Sequence, residues 1–206
     1  MVYLALDCGL GEKKDVVKFL RFTVQKITYC GMLLFISSSV FALNTDISGL
    51  DLVGGLPIQV KLEQAPLATV LVFLSIKCPC SLSHHPSLNL LAEKFTSLGF
   101  QFVGIHSNAN ENLKSSLEFF KFSKLVFPVV QDAQAELANR YDAFKTPHVF
   151  IVSPTRQVLF SGGVDNTKIS QKPTQFYLRD ALIAIQEGKQ PAQNNVRVLG
   201  CEIQRP

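Results

Sequence analysis

No stretch of this 206-residue chain is rich in basic residues, and that absence removes one class of function at the outset. The formal net charge is +4 and falls to +2 once residues 1–42 are set aside, with no Lys/Arg face left over. Nucleic acid is therefore not an expected partner. Long apolar runs are also missing. The block Ile27–Ala42 (ITYCGMLLFISSSVFA) is short of the roughly 20 apolar residues of a membrane span and carries three consecutive serines, Ser37–Ser39. No stable membrane span is expected in the mature chain. There is no internal repeat and no low-complexity segment. Charged residues make up only 17% of the chain against 47% hydrophobic, a globular balance that excludes disorder as the general state. At this length a full core can be buried without disulfide staples.

What is present begins with order at the N-terminus. Lys18, Arg21 and Lys26 precede the apolar block, which ends in Val40-Phe41-Ala42. Charge, apolar core and small residues in that order make a secretory signal peptide, with 1–42 as leader. A membrane anchor or a buried core helix is the plainer alternative. Residues 1–16 read as a gene-model extension, because Val17 followed by KFLRFTVQK makes a conventional start. The expected location is exported, periplasmic or secreted.

Beyond the leader, residues 43–57 read as a lead-in loop with a turn at Gly54-Gly55, and 58–190 as the main domain. Ile58–Leu62 alternates like a short strand, and Ala68–Ile76 (ATVLVFLSI) is an unbroken apolar run of strand length, expected to be buried on both faces. Cys78-Pro79 opens a helix that Gly99 ends. Strands are expected at 100–106 and 127–131, and helices after Asn112 and over 133–141. A hairpin follows over 149–161, then a last helix over 175–186 with Phe176, Leu178, Leu182 and Ile185 inward. Residues 191–206 form a tail. The alternation predicts an α/β fold with a mixed central sheet flanked by helices.

Of the five cysteines, Cys8 and Cys30 fall in the leader, leaving Cys78, Cys80 and Cys201. An odd number in an exported chain points to a reactive thiol. Cys78 stands at a helix entrance, where free N–H groups and the helix dipole favour a thiolate, and Lys77 adds a positive charge. Cys80, inside the first turn, is expected to be the less exposed and less acidic of the two. The plain alternative is a pair of inert half-buried thiols. Cys201, preceded by Gly200, reads as a shaped, mobile approach to the site, or else as an isolated tail thiol. His84 and His85 with Cys80 could suggest copper, but ordinary surface histidines are the expected reading, and neither metal nor cofactor is expected. His106, Asn108 and Asn110 lie at the same edge, the asparagines as turn and capping residues.

A buried strand ending at a cysteine that opens a helix, and a later Thr146-Pro147 entering a hairpin, resemble the thioredoxin superfamily. The closer resemblance is to its redoxin branch of the alkyl hydroperoxide reductase–thiol-specific antioxidant type. Cys78 lies eight residues before Pro86, as the first active-site cysteine of thioredoxins lies before the helix proline. The resemblance implies a thioredoxin-like fold, Cys78 as nucleophile and Thr146-Pro147 as the cis-proline pair shaping the partner groove. Ser81 stands where the second cysteine belongs, so resolution would fall to Cys80 or Cys201. The implied function is thiol–disulfide exchange with protein thiols or disulfides. A thiol peroxidase is one alternative, although Ser75 and Leu71 replace the threonine and proline of the peroxiredoxin motif. A copper-handling or purely binding domain is another. Exported protein sequenced from its N-terminus should begin at Leu43; a start before Ile27 would overturn the cleavage assignment.

Overall fold

The structure, a computed structural model, describes residues 46–206 apart from Gln171. The leader, the Leu43 boundary, Cys8 and Cys30 lie outside the described residues. In chain order the elements are β1 (Ile47–Leu50), β2 (Pro57–Val60), β3 (Ala68–Phe73), α1 (Pro79–Thr96), β4 (Phe100–His106), α2 (Leu113–Phe122) and β5 (Val129–Gln131). They continue with α3 (Glu136–Arg140), β6 (Lys145–Thr146), β7 (His148–Val152), β8 (Val158–Gly162), α4 (Tyr177–Gln186) and β9 (Cys201–Glu202).

Five strands make the central sheet in the order β5-β4-β3-β7-β8. β3, β4 and β5 are parallel, and β7 and β8 join antiparallel, so the sheet is mixed as expected. All six residues of β3 are buried, which is why its sequence does not alternate. Val70 and Val72 pack on one side with Leu88, Ala92 and Phe95 of α1, Phe120 of α2, and Leu178 and Leu182 of α4. Leu71 and Phe73 pack on the other side with Ile47, Leu137, Ala138 and Ile203. Each such side chain contributes about 1.5–3 kcal/mol by leaving water. α2 begins at Asn112, whose side chain accepts from the Ser115 N–H at 2.9 Å. In the last helix Phe176 lies half exposed at the entrance, not on the inward face expected for it, and the Arg179 guanidinium covers its ring.

Two segments depart from expectation. The lead-in contains a strand, β1, paired antiparallel with β2. Its turn is tied by Asp51, whose carboxylate accepts from Val53, Gly54 and, across the chain, Val129. Gly49 is what lets this hairpin lie against β5, since a Cβ there would sit 2.8 Å from Val130 Cγ1. The tail, too, is stitched into the domain. Val196 N donates to Ser161 O, Ile203 N to Phe144 O, and Ala109 N to Gln204 O, and Val198 and Ile203 are buried. Single buried residues among exposed ones leave no periodic trace in sequence.

All four histidines are buried, so His84 and His85 are not the surface residues expected of them. Burial holds the His85 imidazole down to about 4, with the neighbouring His84 adding to the effect. Burial also holds His148 down to about 4, against an opposing pull from Asp142. In the unfolded chain each would take a proton near pH 6.5. Between that value and the folded one, protons bind the unfolded chain preferentially, so stability must fall as pH drops from about 6.5 to about 4. The urea midpoint should decline across that window, and His85→Gln or His148→Gln should flatten the decline. A midpoint constant from pH 7 to pH 4.5 would show that neither ring is held neutral.

Candidate active site

β3 ends three residues earlier than the apolar run. Leu74 N still reaches Ile105 O at 2.8 Å, after which the chain leaves the sheet and turns toward α1. A buried turn must find partners for its polar groups. Ser75 supplies most of them: its Oγ donates to Glu111 Oε1 at 2.6 Å and accepts from the backbone N–H of Lys77 at 3.1 Å and of Cys78 at 3.0 Å. The Ser75 N–H donates to Ser81 Oγ at 3.1 Å, and the Ile76 N–H to Glu111 Oε2 at 2.9 Å. Ser81, at the position where the family carries its second cysteine, is thus an acceptor that fixes the turn. His106 Nε2 stands 3.0 Å behind Glu111.

The turn delivers Cys78 to the N-cap of α1, with Pro79 as the first helical residue. The Cys78 thiol donates to Thr146 O at 3.0 Å, and its sulfur accepts from the Cys201 N–H at 3.4 Å. The Thr146-Pro147 bond is cis, as the resemblance implies. β9 pairs antiparallel with β6, setting Cys201 opposite Thr146 and Glu202 opposite Lys145. Gly200 permits this approach, because a Cβ there would collide with the Thr146 carbonyl. Cys201 is therefore neither isolated nor on a loose tail. The Gln204 N–H donates to Asn108 Oδ1 at 3.1 Å, and the Arg205 guanidinium donates to Ala143 O at 2.5 Å, closing the strand down on both sides.

The three thiols are all free and differ in acidity. Burial pushes the Cys78 thiol up, but donors outweigh it: the Cys201 thiol and the N–H groups of Ser81 and Cys201 hold it below the ordinary value. The Thr146 hydroxyl is buried near the sulfur without a hydrogen-bond partner of its own. Burial, then the Cys78 charge and its hydrogen bond, push Cys80 up, with Lys168 opposing. Cys201 is exposed on its outer side. Desolvation of its inward sulfur, its hydrogen bond to Cys78, and the charges of Cys78, Cys80 and Glu111 push it up to about 12. One thiol held below its ordinary value by donors, beside two that are pushed up, is an arrangement that makes Cys78 the sulfur best suited to nucleophilic attack on sulfur or oxygen.

Several expectations need correction. Lys77 lies beside Cys78, but its ammonium donates to Asn110 O at 2.8 Å, and what lowers Cys78 is hydrogen-bond donors. Exposure runs opposite to expectation: Cys78 is 2% exposed and Cys80 9%, because Thr146 and β9 close over the helix entrance. His84 does share a face with Cys80, but through the Cys80 carbonyl, 2.6 Å from Nδ1, while Nε2 lies 3.3 Å from Asp165. Asn108 and Asn110 keep the turn role expected of them, Asn108 O accepting from the Glu111 N–H at 3.2 Å, but neither caps a helix, a task that falls to Asn112. Glu111 escaped the sequence reading altogether. Its one signal was an acidic residue in the loop leaving the carboxyl end of a parallel strand, where α/β sites gather.

Sheet order, the cis-proline loop and the cysteine at the α1 entrance define a thioredoxin-like redoxin. The AhpC/TSA family profile matches residues 51–161, more than half of the chain, and the chain belongs to that family. An uncharacterized conserved protein from Geobacillus kaustophilus is similar, with a TM-score of 0.70 and 23% identity over 78% of this chain and 89% of its own. A hypothetical protein from Sinorhizobium meliloti 1021 gives a TM-score of 0.69 and 26% identity over 78% and 91%. Peroxidoxin BcpB from Mycobacterium tuberculosis shares the fold, with a TM-score of 0.51 and 17% identity over 69% and 92%. No curated protein matches the chain.

Gly200→Ala should force β9 off Thr146 and take two donors, the Cys201 N–H and thiol, from the Cys78 sulfur. The pH midpoint for Cys78 alkylation should then rise by at least about one unit, since each hydrogen bond to a charged group is worth about 1.5–3 kcal/mol. An unchanged midpoint in a folded variant would mean that β9 does not tune Cys78.

Proposed function

We propose that this chain is an exported thiol–disulfide oxidoreductase in which Cys78 attacks and Cys201 resolves. The observation that carries the reading is the register of β9, which sets Cys201 opposite Thr146 with its N–H on the Cys78 sulfur. The Cys78 thiolate attacks one sulfur of a partner disulfide. A Cys78–partner bond forms, the partner S–S bond breaks, and the other partner sulfur leaves as thiolate. Cys201 then gives up its proton and attacks the Cys78 sulfur, forming Cys78–Cys201 and releasing the partner's second thiolate. The partner has gained two electrons and the cysteine pair has lost them; an external dithiol restores the pair. Pro147 and Thr146 shape the groove that the partner's extended chain enters once β9 leaves the Lys145–Thr146 edge.

Cys80 is the weaker candidate for resolution. A bond across one intervening residue, Pro79, would close a small strained ring at a helix start. Export rests on the order of charge, apolar block and small residues before Leu43, and an oxidising compartment suits a chain whose thiols cycle. One observation favours a second reading: at 2% exposure, Cys78 admits a small oxidant more readily than a protein. In that case the thiolate attacks the distal oxygen of a hydroperoxide: an S–O bond forms as the O–O bond breaks, Cys78 becomes a sulfenic acid, and the leaving alkoxide takes a proton from solvent to depart as an alcohol. Cys201 then condenses with it, expelling water.

A disulfide map after turnover tests the assignment. Exchange with a model protein disulfide should vanish in Cys78→Ser, and Cys201→Ser should accumulate the mixed disulfide. A trapped mixed disulfide in Cys80→Ser instead would pass the resolving role to Cys80. Rapid oxidation by hydroperoxide, with protein disulfides untouched, would establish the peroxidase.

A further inference from the structure

Glu111 is a buried carboxylate that the exchange steps above do not use. It is 6% exposed and fully bonded: Oε1 accepts from Ser75 Oγ, and Oε2 from the Ile76 N–H and from His106 Nε2. A carboxylate only accepts, so His106 carries its proton on Nε2. Through Ser75, Glu111 reaches the backbone N–H groups of Lys77 and Cys78. On its other side the loop that carries it is bonded to the tail just past Cys201: Asn108 Oδ1 accepts from the Gln204 N–H at 3.1 Å and the Ala109 N–H donates to Gln204 O at 2.7 Å, so that its charge is among those that push Cys201 up. It is thus joined to both partners of the exchange without being either.

We propose that Glu111 is a positioning residue that divides the roles of the two facing cysteines, fixing Cys78 as the attacking sulfur and Cys201 as the waiting one. This rests on the exchange reading above. Two separable actions are involved. The first is mechanical: an ionised carboxylate orients the Ser75 hydroxyl so that its lone pairs face the Lys77 and Cys78 N–H groups, which holds the end of the turn and the α1 entrance together. The second is electrostatic, because a fixed negative charge disfavours a second one at Cys201. Burial pushes Glu111 up, but its donors His106, Ser75 and the Ile76 N–H hold it below the usual carboxylate range, so the charge is present wherever Cys78 is active. The titratable groups facing Cys201 are Cys78 and Cys80 from α1 and Glu111 from the loop after β4, with Lys145 and Glu202 flanking along the strand pair. When Cys78 is in a disulfide its charge is gone, and Glu111 is then the buried charge left beside Cys201, while Lys145 and Glu202 flank it with opposite signs.

The test uses the full chain with residue-resolved alkylation, reading Cys78 and Cys201 separately across pH. Glu111→Gln removes the charge while keeping the size, and labelling of Cys201 at pH 8.5 should rise about threefold, equivalent to about half a unit of titration. The gain should persist in a Cys78→Ser background, where the neighbouring thiolate no longer contributes. Ser75→Ala removes the anchor but leaves the charge; it should slow Cys78 and leave Cys201 unaccelerated. Glu111→Asp should return Cys201 to its slow rate, and it serves as the charge-bearing comparison if Glu111→Gln folds poorly, with Ser75→Ala then carrying the contrast. Identical Cys201 rates in the charged and uncharged variants would overturn the inference. So would Ser75→Ala behaving like Glu111→Gln, because then only the anchor matters. Loss of exchange in Cys78→Ser alongside either result would leave the exchange reading intact.

Discussion

Everything at the reactive end depends on how β3 stops. A strand buried on both faces cannot simply end inside the protein, because each residue past the ladder brings a backbone donor and acceptor that water cannot reach. Ser75, Ser81 and Glu111 meet that requirement with side chains, and each bond they make also fixes a coordinate of Cys78. An unmet buried donor costs about 1–3 kcal/mol, so the turn has little freedom to adopt another shape. The nucleophile's place is a consequence of hydrogen-bond satisfaction. Ser81, where the resemblance would put a second cysteine, fits this account, since its hydroxyl takes the Ser75 N–H, and the thiol that faces Cys78 comes from another strand.

The same economy governs charge. Cys78, Cys80 and Cys201 interact through hydrogen bonds and Coulomb terms, and Glu111 adds a fixed negative charge beside them. In a partly buried cluster, two thiolates within a few ångströms repel strongly, so one ionises and the rest stay protonated. Which one ionises is decided by donors, and donors gather at Cys78: the Ser81 N–H at the helix entrance, and the N–H and thiol of Cys201. A lysine next in sequence is not needed for that result, and here Lys77 instead ties the turn to the Asn110 loop.

The sequence made legible those parts of the fold that rest on continuous local pattern. Ala68–Phe73 is apolar without alternation because both faces are covered, Cys78-Pro79 starts a helix because proline suits its first turn, and Thr146-Pro147 sits where the resemblance puts it. Glu111 was hidden because an acid among asparagines after a strand looks like any polar loop; its burial depends on Ser75 and His106, which are far from it in the chain or on another element. The tail was hidden for a related reason. Val198 and Ile203 bury one at a time, and what fixes β9 is backbone pairing with Lys145 and Thr146, which no side-chain pattern records. The histidines misled because imidazole is found both inside and outside proteins, and residue type alone does not decide.

At 2% exposure the Cys78 sulfur is closed to a protein partner, and the small size of the covering element bears on how it can be reached. β9 is two residues long, and its pairing with β6 is short. Each backbone hydrogen bond there contributes about 0.5–1.5 kcal/mol net, so local opening costs far less than unfolding the domain. The tail on either side is held by separate bonds, from Val196 to Ser161 and from Ala109 to Gln204, so the opening stays local. Closure in turn brings the Cys201 N–H back to the Cys78 sulfur, a geometry that an open tail would have to find by diffusion. A short strand over the site therefore reconciles two demands: a dry, donor-rich setting for the Cys78 sulfur, and access to it. Lengthening the ladder would strengthen the first demand at the expense of the second. The Gly200 contact, which admits no side chain, places the closed strand without adding a hydrogen bond that would have to be broken.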